Sequence, residues 1–268
     1  MTVGRSAGVQ HNPLLHAAAI PNFRDYGGYR LAGGGRLRTG HLFRSGMHAM
    51  ATDEDLAMID GLGLKAVVDL RSMQEREDNP CRRAPGFDAR LHFAPGYRQG
   101  RAPHNAAGEA PTAEEVRANL GLAFRQIPFQ TPIIAAFSVY FRALATTDGP
   151  SLVHCSAGKD RTGIAVALLH AVLGVCMEDV MADFLLSNPA CATEASMRTL
   201  GPTVRKNFGD QMVEAAVVAA LSVEPDYLLG MFKSIEERCG SIDIYVSQRL
   251  GVTSSDKEAI RERLTTSA

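Results

Sequence analysis

The sequence has few cysteines, and none of them forms a pair at redox or metal-binding spacing. Its 268 residues contain five scattered cysteines, an odd number, and no CxxC pair. A disulfide framework is built from an even set of cysteines, so we expect these thiols to be reduced. This pattern argues against a small secreted domain held together by disulfide bonds.

A charge excess and long apolar runs are also absent. The net charge is −1, so no global field directs the chain to nucleic acid or to a membrane surface. The longest apolar run, residues 164–175, is shorter than the ~20 residues that span a bilayer. The N-terminal residues lack the charged start and apolar stretch of a signal peptide. We therefore expect no nucleic-acid partner, no integral membrane association, and a cytoplasmic location or export without a recognisable signal peptide.

The chain does contain enough apolar sequence for one sizeable core, because 46% of its residues are hydrophobic. Short apolar segments at 38–43, 64–70, 87–93 and 151–153 predict strands, and helical patterns lie between them. This alternation predicts an α/β fold with a central, mostly parallel sheet flanked by helices. Its ligand should lie at the C-terminal ends of the strands, where Asp69 and Cys155 both fall.

The ends of the chain and one internal segment depart from this alternation. Residues 1–19 are predicted to be a flexible N-terminal arm, and residues 20–268 a single domain. Residues 95–130 are rich in glycine and proline before one amphipathic helix at 112–124, which indicates an insertion. It is interpreted as a helical lid or a partner surface, with a mobile surface excursion as the alternative. After residue 175 the pattern predicts a helical C-terminal part.

Residues 151–175 predict a strand, a tight loop and a helix, with Cys155 opening the loop and Arg161 at the helix start. Such a loop presents a row of backbone N–H groups to one point, and the helix N-terminus adds partial positive charge. We expect Cys155 to be a thiolate, because the helix end and Arg161 favour the anion. A thiolate inside an anion-binding loop is suited to attack phosphorus.

The spacing of this loop, Cys-x5-Arg-Thr, has a physical basis. Five intervening residues let the loop curl around one phosphate, while Arg161 binds two of its oxygens bidentately. Gly158 lets the backbone turn without a Cβ clash. Thr162 can donate its hydroxyl to Cys155, and His154 can brace the loop. The predicted phosphate-binding residues are Ser156, Ala157, Gly158, Lys159, Asp160 and Arg161.

Three other interpretations of this stretch compete. A Walker-type nucleotide loop needs a glycine five residues before Gly158 and a Ser or Thr after Lys159, but the chain has Val153 and Asp160 there. A metal site needs further ligands at suitable spacing, and none lie nearby in the sequence. A buried structural cysteine in an ordinary strand–helix turn is the third, and it is disfavoured because the motif is so specific. We therefore expect neither a metal nor a cofactor.

The loop sequence HCSAGKDRTG, residues 154–163, resembles the phosphate loop of the protein tyrosine phosphatase superfamily. With NFRDYGGY at 22–29, LFRSG at 42–46 and VVDLRS at 67–72, the chain resembles a bacterial tyrosine/serine phosphatase family. Atypical members of that family are dual- or triple-specificity enzymes that also act on phosphoinositides. The resemblance implies the cysteine-phosphatase fold, a helical lid and a metal-free reaction through a cysteinyl-phosphate.

The resemblance also bears on the general acid, which it assigns to Asp160, since related enzymes use an aspartate at this position. Asp69 is the rival, unless it caps the next helix or pairs with Arg44 or Arg71. The segment around Lys159 resembles loops of inositol-lipid phosphatases, where the lysine meets a second ring phosphate. Alternatively, Lys159 only deepens the positive potential or points to solvent.

Two functions of different class follow from these residues. The first is a phosphatase that hydrolyses phosphotyrosine, with phosphoserine/threonine and phosphoinositides as further substrates, or one that acts chiefly on phosphoinositides. The second is a catalytically weak module that binds phosphorylated ligands. The intact Cys155, Arg161 and Thr162 favour the enzyme. Its expected partner is a phosphorylated protein or a phosphoinositide, and the oligomeric state is left open.

Overall fold

A five-stranded sheet with helices on both faces forms the centre of the fold. The computed structural model describes residue 15 and residues 17–96, 110–191 and 194–267. The strands are β1 (Arg24–Asp25), β2 (Arg36–Leu37), β3 (Leu42–Ser45), β4 (Ala66–Asp69), β5 (Arg90–Phe93), β6 (Ser151–His154) and β7 (Thr265–Thr266). The sheet order is β1-β3-β6-β4-β5, with β1 antiparallel to β3 and all other neighbours parallel. The predicted α/β fold with a mostly parallel sheet is confirmed.

Helices surround this sheet and make up most of the chain after β6. They are α1 (Asp53–Gly61), α2 (Met73–Asp78), α3 (Ala113–Gln126), α4 (Thr131–Thr146), α5 (Asp160–Leu173), α6 (Met177–Leu185), α7 (Ser187–Cys191), α8 (Glu194–Phe208), α9 (Glu214–Leu221), α10 (Pro225–Cys239), α11 (Ile242–Ile244) and α12 (Ser254–Leu264). The helical part that the sequence predicts after residue 175 is irregular between α10 and α12, since a π turn, Tyr245–Arg249, follows the short α11. In that wider turn Tyr245 is fully buried and donates its hydroxyl to the Pro128 carbonyl at 2.7 Å.

Reciprocal side-chain caps define where several of these helices begin. The Thr52 hydroxyl accepts the N–H of Asp55, whose carboxylate accepts the N–H of Thr52. The same capping box starts α2, α3 and α12. Each box satisfies backbone donors that the first helical turn leaves without a partner. The cap of α2 lies directly after β4 and therefore at the end of the sheet where a ligand is expected.

The core has a layer of apolar side chains on each face of the sheet. Val67 and Leu152 pack with Leu56 of α1 on one face. Val68 and Val153 pack on the other face in a larger cluster that includes α4, α5, α10 and α12. Parallel strands that are buried on both faces require a continuous apolar run, which explains the short AVV and SLV segments of β4 and β6.

The predicted arm and insertion are described only in part. Residues 1–14, 16 and 97–109 lie outside the described residues. The end of the arm contacts the domain, because the N–H groups of Ala18 and Ala19 donate to the Asp55 carboxylate at 2.7 and 3.0 Å. In the insertion, α3 packs against α9 and α10, with the ring centroids of Phe124 and Tyr227 5.3 Å apart.

Within the described ranges, no single helix has the length and apolar character needed to cross a membrane. The helices α9 and α10, which are joined at a bend of 45°, reach that length and apolar character only when taken together.

A buried ion-pair network joins the antiparallel edge of the sheet to α6. Arg24 on β1 and Arg44 on β3 are fully buried and share the carboxylate of Asp183. Arg24 Nε lies 3.1 Å from Asp183 Oδ1, and Arg44 Nη1 lies 2.7 Å from Oδ2. Burial alone would raise the pKa of Asp183, but the two guanidinium groups hold it at about 2. The network fixes Arg44, whose Nη2 also donates to the carbonyl of Gly158 in the loop after β6.

Replacing Asp183 with Asn should lower the free energy of unfolding at neutral pH by about 3 to 5 kcal/mol, because two buried guanidinium groups lose their counter-charge. The folded-state pKa of about 2 lies below the usual value of 3.8. The contribution of Asp183 is therefore present above about pH 4 and is lost as the pH falls towards 2. Urea unfolding of wild type and variant across this range measures both effects.

The matched control is Glu178→Gln, which removes an exposed carboxylate from the same helix. Its unfolding free energy should stay within about 0.5 kcal/mol of wild type. Equal stability of Asp183→Asn and Glu178→Gln would contradict the role assigned to the buried network.

Candidate active site

The loop between β6 and α5 lies at the C-terminal end of the sheet, as the sequence predicted. β6 ends at His154, residues 155–159 form the loop, and α5 starts at Asp160. Cys155 is 2% exposed, so its sulfur lies beneath the surface. The parallel neighbours β3 and β4 end beside it and supply the residues that hold the loop.

Two carbonyl groups of the loop, those of Ser156 and Gly158, are bonded to the surrounding protein. Ser156 O accepts the Met47 N–H at 2.9 Å. Gly158 O accepts from Asn22 Nδ2 at 2.7 Å and from Arg44 Nη2 at 2.9 Å. Within the described part of the chain, the N–H groups of residues 156–159 have no acceptor in the protein. This division of donors and acceptors is what an anion-binding loop requires.

Two glycines allow the loop to lie directly on the backbone after β3. Gly158 has a φ of +69°, and a Cβ there would lie 2.3 Å from the Ser45 carbonyl. A Cβ on Gly46 would lie 2.9 Å from the Ser156 carbonyl oxygen. Side chains at either position would force the two backbones apart. The predicted need for glycine at 158 therefore has both a conformational and a steric cause.

Arg161 is held by a carboxylate that the sequence analysis missed. Arg161 Nη1 donates to Glu75 Oε2 at 2.7 Å, and Nη2 donates to Oε1 at 2.6 Å. Ser156 Oγ donates to the same Oε1 at 2.6 Å, and Arg161 Nη1 reaches the Leu70 carbonyl at 3.3 Å. Glu75 thus ties the helix-borne arginine to the start of the loop.

Glu75 also completes the capping box of α2, where its Oε2 accepts the Ser72 N–H at 2.9 Å. Burial alone would raise the pKa of Glu75, but Arg161 and its other donors lower it to about 2. The carboxylate is therefore ionised at neutral pH. The Ser-x-x-Glu pattern after β4 was the sequence signal that could have identified this residue.

His154 and Asp69 form a second group of contacts beneath the loop. His154 Nδ1 lies 3.2 Å from the Cys155 carbonyl oxygen, a distance at which it braces the loop. His154 Nε2 lies 3.7 Å from Asp69 Oδ2. Burial outweighs the nearby carboxylate and lowers the pKa of His154 to about 4, so the imidazole is neutral at pH 7 and the contact is not an ion pair.

The carboxylate of Asp69 is bound to Arg71. Its oxygens accept the Arg71 N–H, Nε and Nη2 groups at 2.8–3.2 Å. Burial favours a higher pKa for Asp69, but His154, which is protonated only at low pH, and Arg71 hold that pKa well below its usual range. Asp69, Cys81 and His154 lie close enough together for a metal, yet Arg71 already donates to both Asp69 and Cys81. The Asp69 carboxylate and the Cys81 sulfur therefore both accept hydrogen bonds from a guanidinium group.

The remaining predicted site residues lie at the start of α5. Thr162 is fully buried, and its Oγ1 has no hydrogen-bond partner among the described residues. The side chain of Asp160 is 33% exposed. The Lys159 ammonium is buried and donates to the carbonyls of Ala220 and Ser222, so it points to the end of α9.

Sequence comparison relates this chain to a known family. The profile of the tyrosine phosphatase family matches residues 15–266. A protein of Cupriavidus necator, whose name assigns it provisionally to the tyrosine-protein phosphatases, is 32% identical over 92% of this chain and 88% of its own length. The triple specificity protein phosphatase PtpB of Mycobacterium tuberculosis is 28% identical over 84% of this chain and 90% of its own length. This chain belongs to the tyrosine phosphatase family and is a phosphoric monoester hydrolase of that type.

Proposed function

We propose that this protein hydrolyses phosphotyrosine through a cysteinyl-phosphate intermediate formed on Cys155. The observation that carries the proposal is the polarity of the loop at the end of β6. The carbonyls of Ser156 and Gly158 are bonded to Met47, Asn22 and Arg44, while the N–H groups of residues 156–159 have no acceptor in the described protein. A cysteine at the start of such a loop is placed to attack a phosphate bound in it.

In the first step the Cys155 thiolate attacks phosphorus in line with the aryl oxygen. The S–P bond forms as the P–O bond to the leaving group breaks. The loop N–H groups and Arg161 stabilise the charge on the equatorial oxygens, with Glu75 holding the guanidinium in place. The Asp160 carboxyl donates its proton to the leaving oxygen, so the product departs as the neutral phenol.

In the second step a water molecule hydrolyses the intermediate. Asp160, now a carboxylate, accepts a proton from the water as its oxygen attacks phosphorus. The S–P bond breaks, inorganic phosphate forms, and Cys155 returns to a thiolate. The Thr162 hydroxyl is buried without a partner in the described residues and is therefore suited to donate to that sulfur.

Asp160 is the better candidate for the acid because its surroundings differ from those of Asp69. Three donors of Arg71 bind the Asp69 carboxylate and keep its pKa well below the usual range, so Asp69 has no proton to give at neutral pH. The Asp160 side chain is 33% exposed at the first turn of α5, and its contact with a cation, 3.3 Å from Lys159 Nζ to Oδ1, is longer than the bonds between Asp69 and Arg71. Asp69 is proposed instead to hold Arg71 and, through it, the start of α2.

The substrate class is proposed to extend beyond phosphotyrosine. The relative from M. tuberculosis is named a triple specificity phosphatase, which supports phosphoserine and phosphothreonine as slower substrates of this chain. These alkyl esters have poorer leaving groups than aryl phosphates, so they depend more strongly on the acid. Whether phosphoinositides are substrates depends on Lys159, whose ammonium is bound to α9 in this structure.

Replacing Cys155 with Ser should abolish turnover of p-nitrophenyl phosphate, because the hydroxyl is far less nucleophilic than a thiolate. Wild type should turn over with EDTA present, at an unchanged rate, and the variant should still bind inorganic phosphate. Activity that survives in Cys155→Ser would contradict the mechanism. Tight phosphate binding by wild type without turnover would instead indicate a binding module.

Replacing Asp160 with Asn should reduce kcat in proportion to the difficulty of the leaving group. We expect losses of about 10²-fold or more on phosphotyrosine or alkyl phosphates and much smaller losses on p-nitrophenyl phosphate, whose phenolate leaves without a proton. Steady-state kinetics with a series of substituted aryl phosphates measures this dependence. Equal losses across the series would remove Asp160 from the role of acid.

Replacing Glu75 with Gln removes the negative charge that binds Arg161 but keeps the size and shape of the side chain. Arg161 should therefore no longer be held in its position. We expect kcat/KM for p-nitrophenyl phosphate to fall by about 10²-fold, the size of effect that follows a small displacement of a binding group. The matched control is Glu77→Gln on the same helix. If Glu75→Gln had the same kinetics as Glu77→Gln, Arg161 would not need Glu75 to hold it in position.

A further inference from the structure

Three side chains beneath the catalytic loop bring together a carboxylate, a thiol and an imidazole. One ligand atom each from Asp69, Cys81 and His154 lies within 4.8 Å of the other two. Asp69 and His154 are paired positions at the ends of the neighbouring strands β4 and β6, and Cys81 follows α2. The three residues are far apart in the chain, which is why the spacing of possible ligands in the sequence indicated no metal.

His154 has one ring nitrogen that no group in the described part of the chain satisfies. Its Nδ1 lies 3.2 Å from the Cys155 carbonyl oxygen, which can only accept, so Nδ1 carries the hydrogen of the neutral ring and Nε2 is a bare acceptor. This buried Nε2 has no hydrogen-bond partner among the described residues and faces Asp69 Oδ2 at 3.7 Å. Since a carboxylate oxygen is also an acceptor, a shared cation would stabilise this pair of atoms.

The spacing and the chemistry of these groups fit a tetrahedral transition metal. Zinc binds histidine nitrogen and carboxylate oxygen at about 2.0–2.2 Å, so two such ligands of a tetrahedron lie about 3.4 Å apart. The 3.7 Å between His154 Nε2 and Asp69 Oδ2 is close to this value. A thiolate beside an imidazole favours zinc or cobalt over magnesium and calcium, which prefer oxygen ligands.

The surroundings of the three groups also resemble those of a metal site. A histidine that binds a metal usually donates its other ring N–H to a carbonyl or a carboxylate, and His154 Nδ1 faces the Cys155 carbonyl in this way. The sulfur of Cys81 accepts the His48 N–H at 3.4 Å, which orients it. Cys81 is half-buried, so an ion from solvent can approach the three groups from its side.

The guanidinium group of Arg71 is the cation that two of these ligands hold in the structure. Its Nη2 donates to Asp69 Oδ2 at 2.8 Å and to Cys81 Sγ at 3.1 Å. Other bonds of Arg71 use different acceptors, since its N–H and Nε donate to Asp69 Oδ1 at 3.0 Å and its Nη1 donates to the Asn79 carbonyl at 2.8 Å. A metal therefore competes with Nη2 alone, and the remaining bonds can still hold Arg71.

We propose that Asp69, Cys81 and His154 form a binding site for Zn²⁺, which displaces Arg71 Nη2 from Asp69 Oδ2 and Cys81 Sγ and binds His154 Nε2. Cys81 binds as the thiolate, so its proton is released to solvent when the metal binds. Water takes the fourth position of the tetrahedron. No step of the proposed hydrolysis uses this metal, so the site and the reaction can be tested separately.

Binding of Co²⁺ to the Cys155→Ser protein tests the site, because cobalt bound by a thiolate has a charge-transfer absorption. This background removes the catalytic thiol, so the signal depends neither on turnover nor on a metal at Cys155. We expect an absorption that saturates at one Co²⁺ per chain. Adding Cys81→Ser should abolish it, and adding Asp69→Asn should weaken binding by about tenfold or more. No absorption at a large excess of Co²⁺, or an absorption that survives in Cys81→Ser, would overturn the site.

The matched control is Cys176→Ser, which removes an exposed thiol outside the three groups. The cobalt absorption should be unchanged in this variant, and a signal that disappears would show adventitious binding at the surface. Zn²⁺ should remove the absorption of bound cobalt, because it favours a tetrahedral site with sulfur and nitrogen ligands, whereas Mg²⁺ should not. Equal displacement by Mg²⁺ would contradict the proposed ligands.

The competition between guanidinium and metal is tested with Arg71→Leu in the same background. Removing the competing donor should tighten Co²⁺ binding by about tenfold. A misfolded variant would lose the signal rather than gain affinity, so tighter binding cannot come from damage to the fold. If Arg71→Leu has the circular dichroism of its parent but binds Co²⁺ no more tightly, Arg71 and the metal do not share these ligands and the proposal is wrong.

Discussion

The site depends on the hydrogen bonds that hold the Gly158 carbonyl of the loop to the surrounding protein. A loop that binds an anion must turn its N–H groups to one point, and this is possible only if its carbonyls have other partners. Asn22 and Arg44 supply those partners for Gly158, and Asp183 fixes Arg44 at 2.7 Å. The buried ion pairs at the sheet edge thus serve the curvature of the loop as well as the stability of the fold.

A single carboxylate, that of Glu75, binds the start of the loop. Glu75 accepts from the backbone of Ser72, from the hydroxyl of Ser156 and from two nitrogens of Arg161. The start of α2, the start of the loop and the phosphate-binding arginine are therefore set by one side chain. The position of Arg161 therefore depends on a helix cap 86 residues earlier in the chain.

The sequence predicted those parts of the molecule that are encoded locally. The strand–loop–helix around Cys155 and the apolar strands β4, β5 and β6 each depend on neighbouring residues, and the structure has them close to the predicted positions. The pairing of Arg44 with Asp183 spans 139 residues, and the contact of Lys159 with α9 spans 61. Such partners are set by how helices pack on the sheet, and no local pattern specifies that packing.

The central claim is that the sulfur of Cys155 accepts the phosphoryl group. Rapid acid quenching during turnover of p-nitrophenyl phosphate, followed by peptide mass spectrometry, tests it most directly. The account predicts a peptide containing Cys155 that is heavier by one phosphoryl group and that disappears when substrate is exhausted. Turnover at full rate with the phosphoryl group on another residue, or on none, would contradict it.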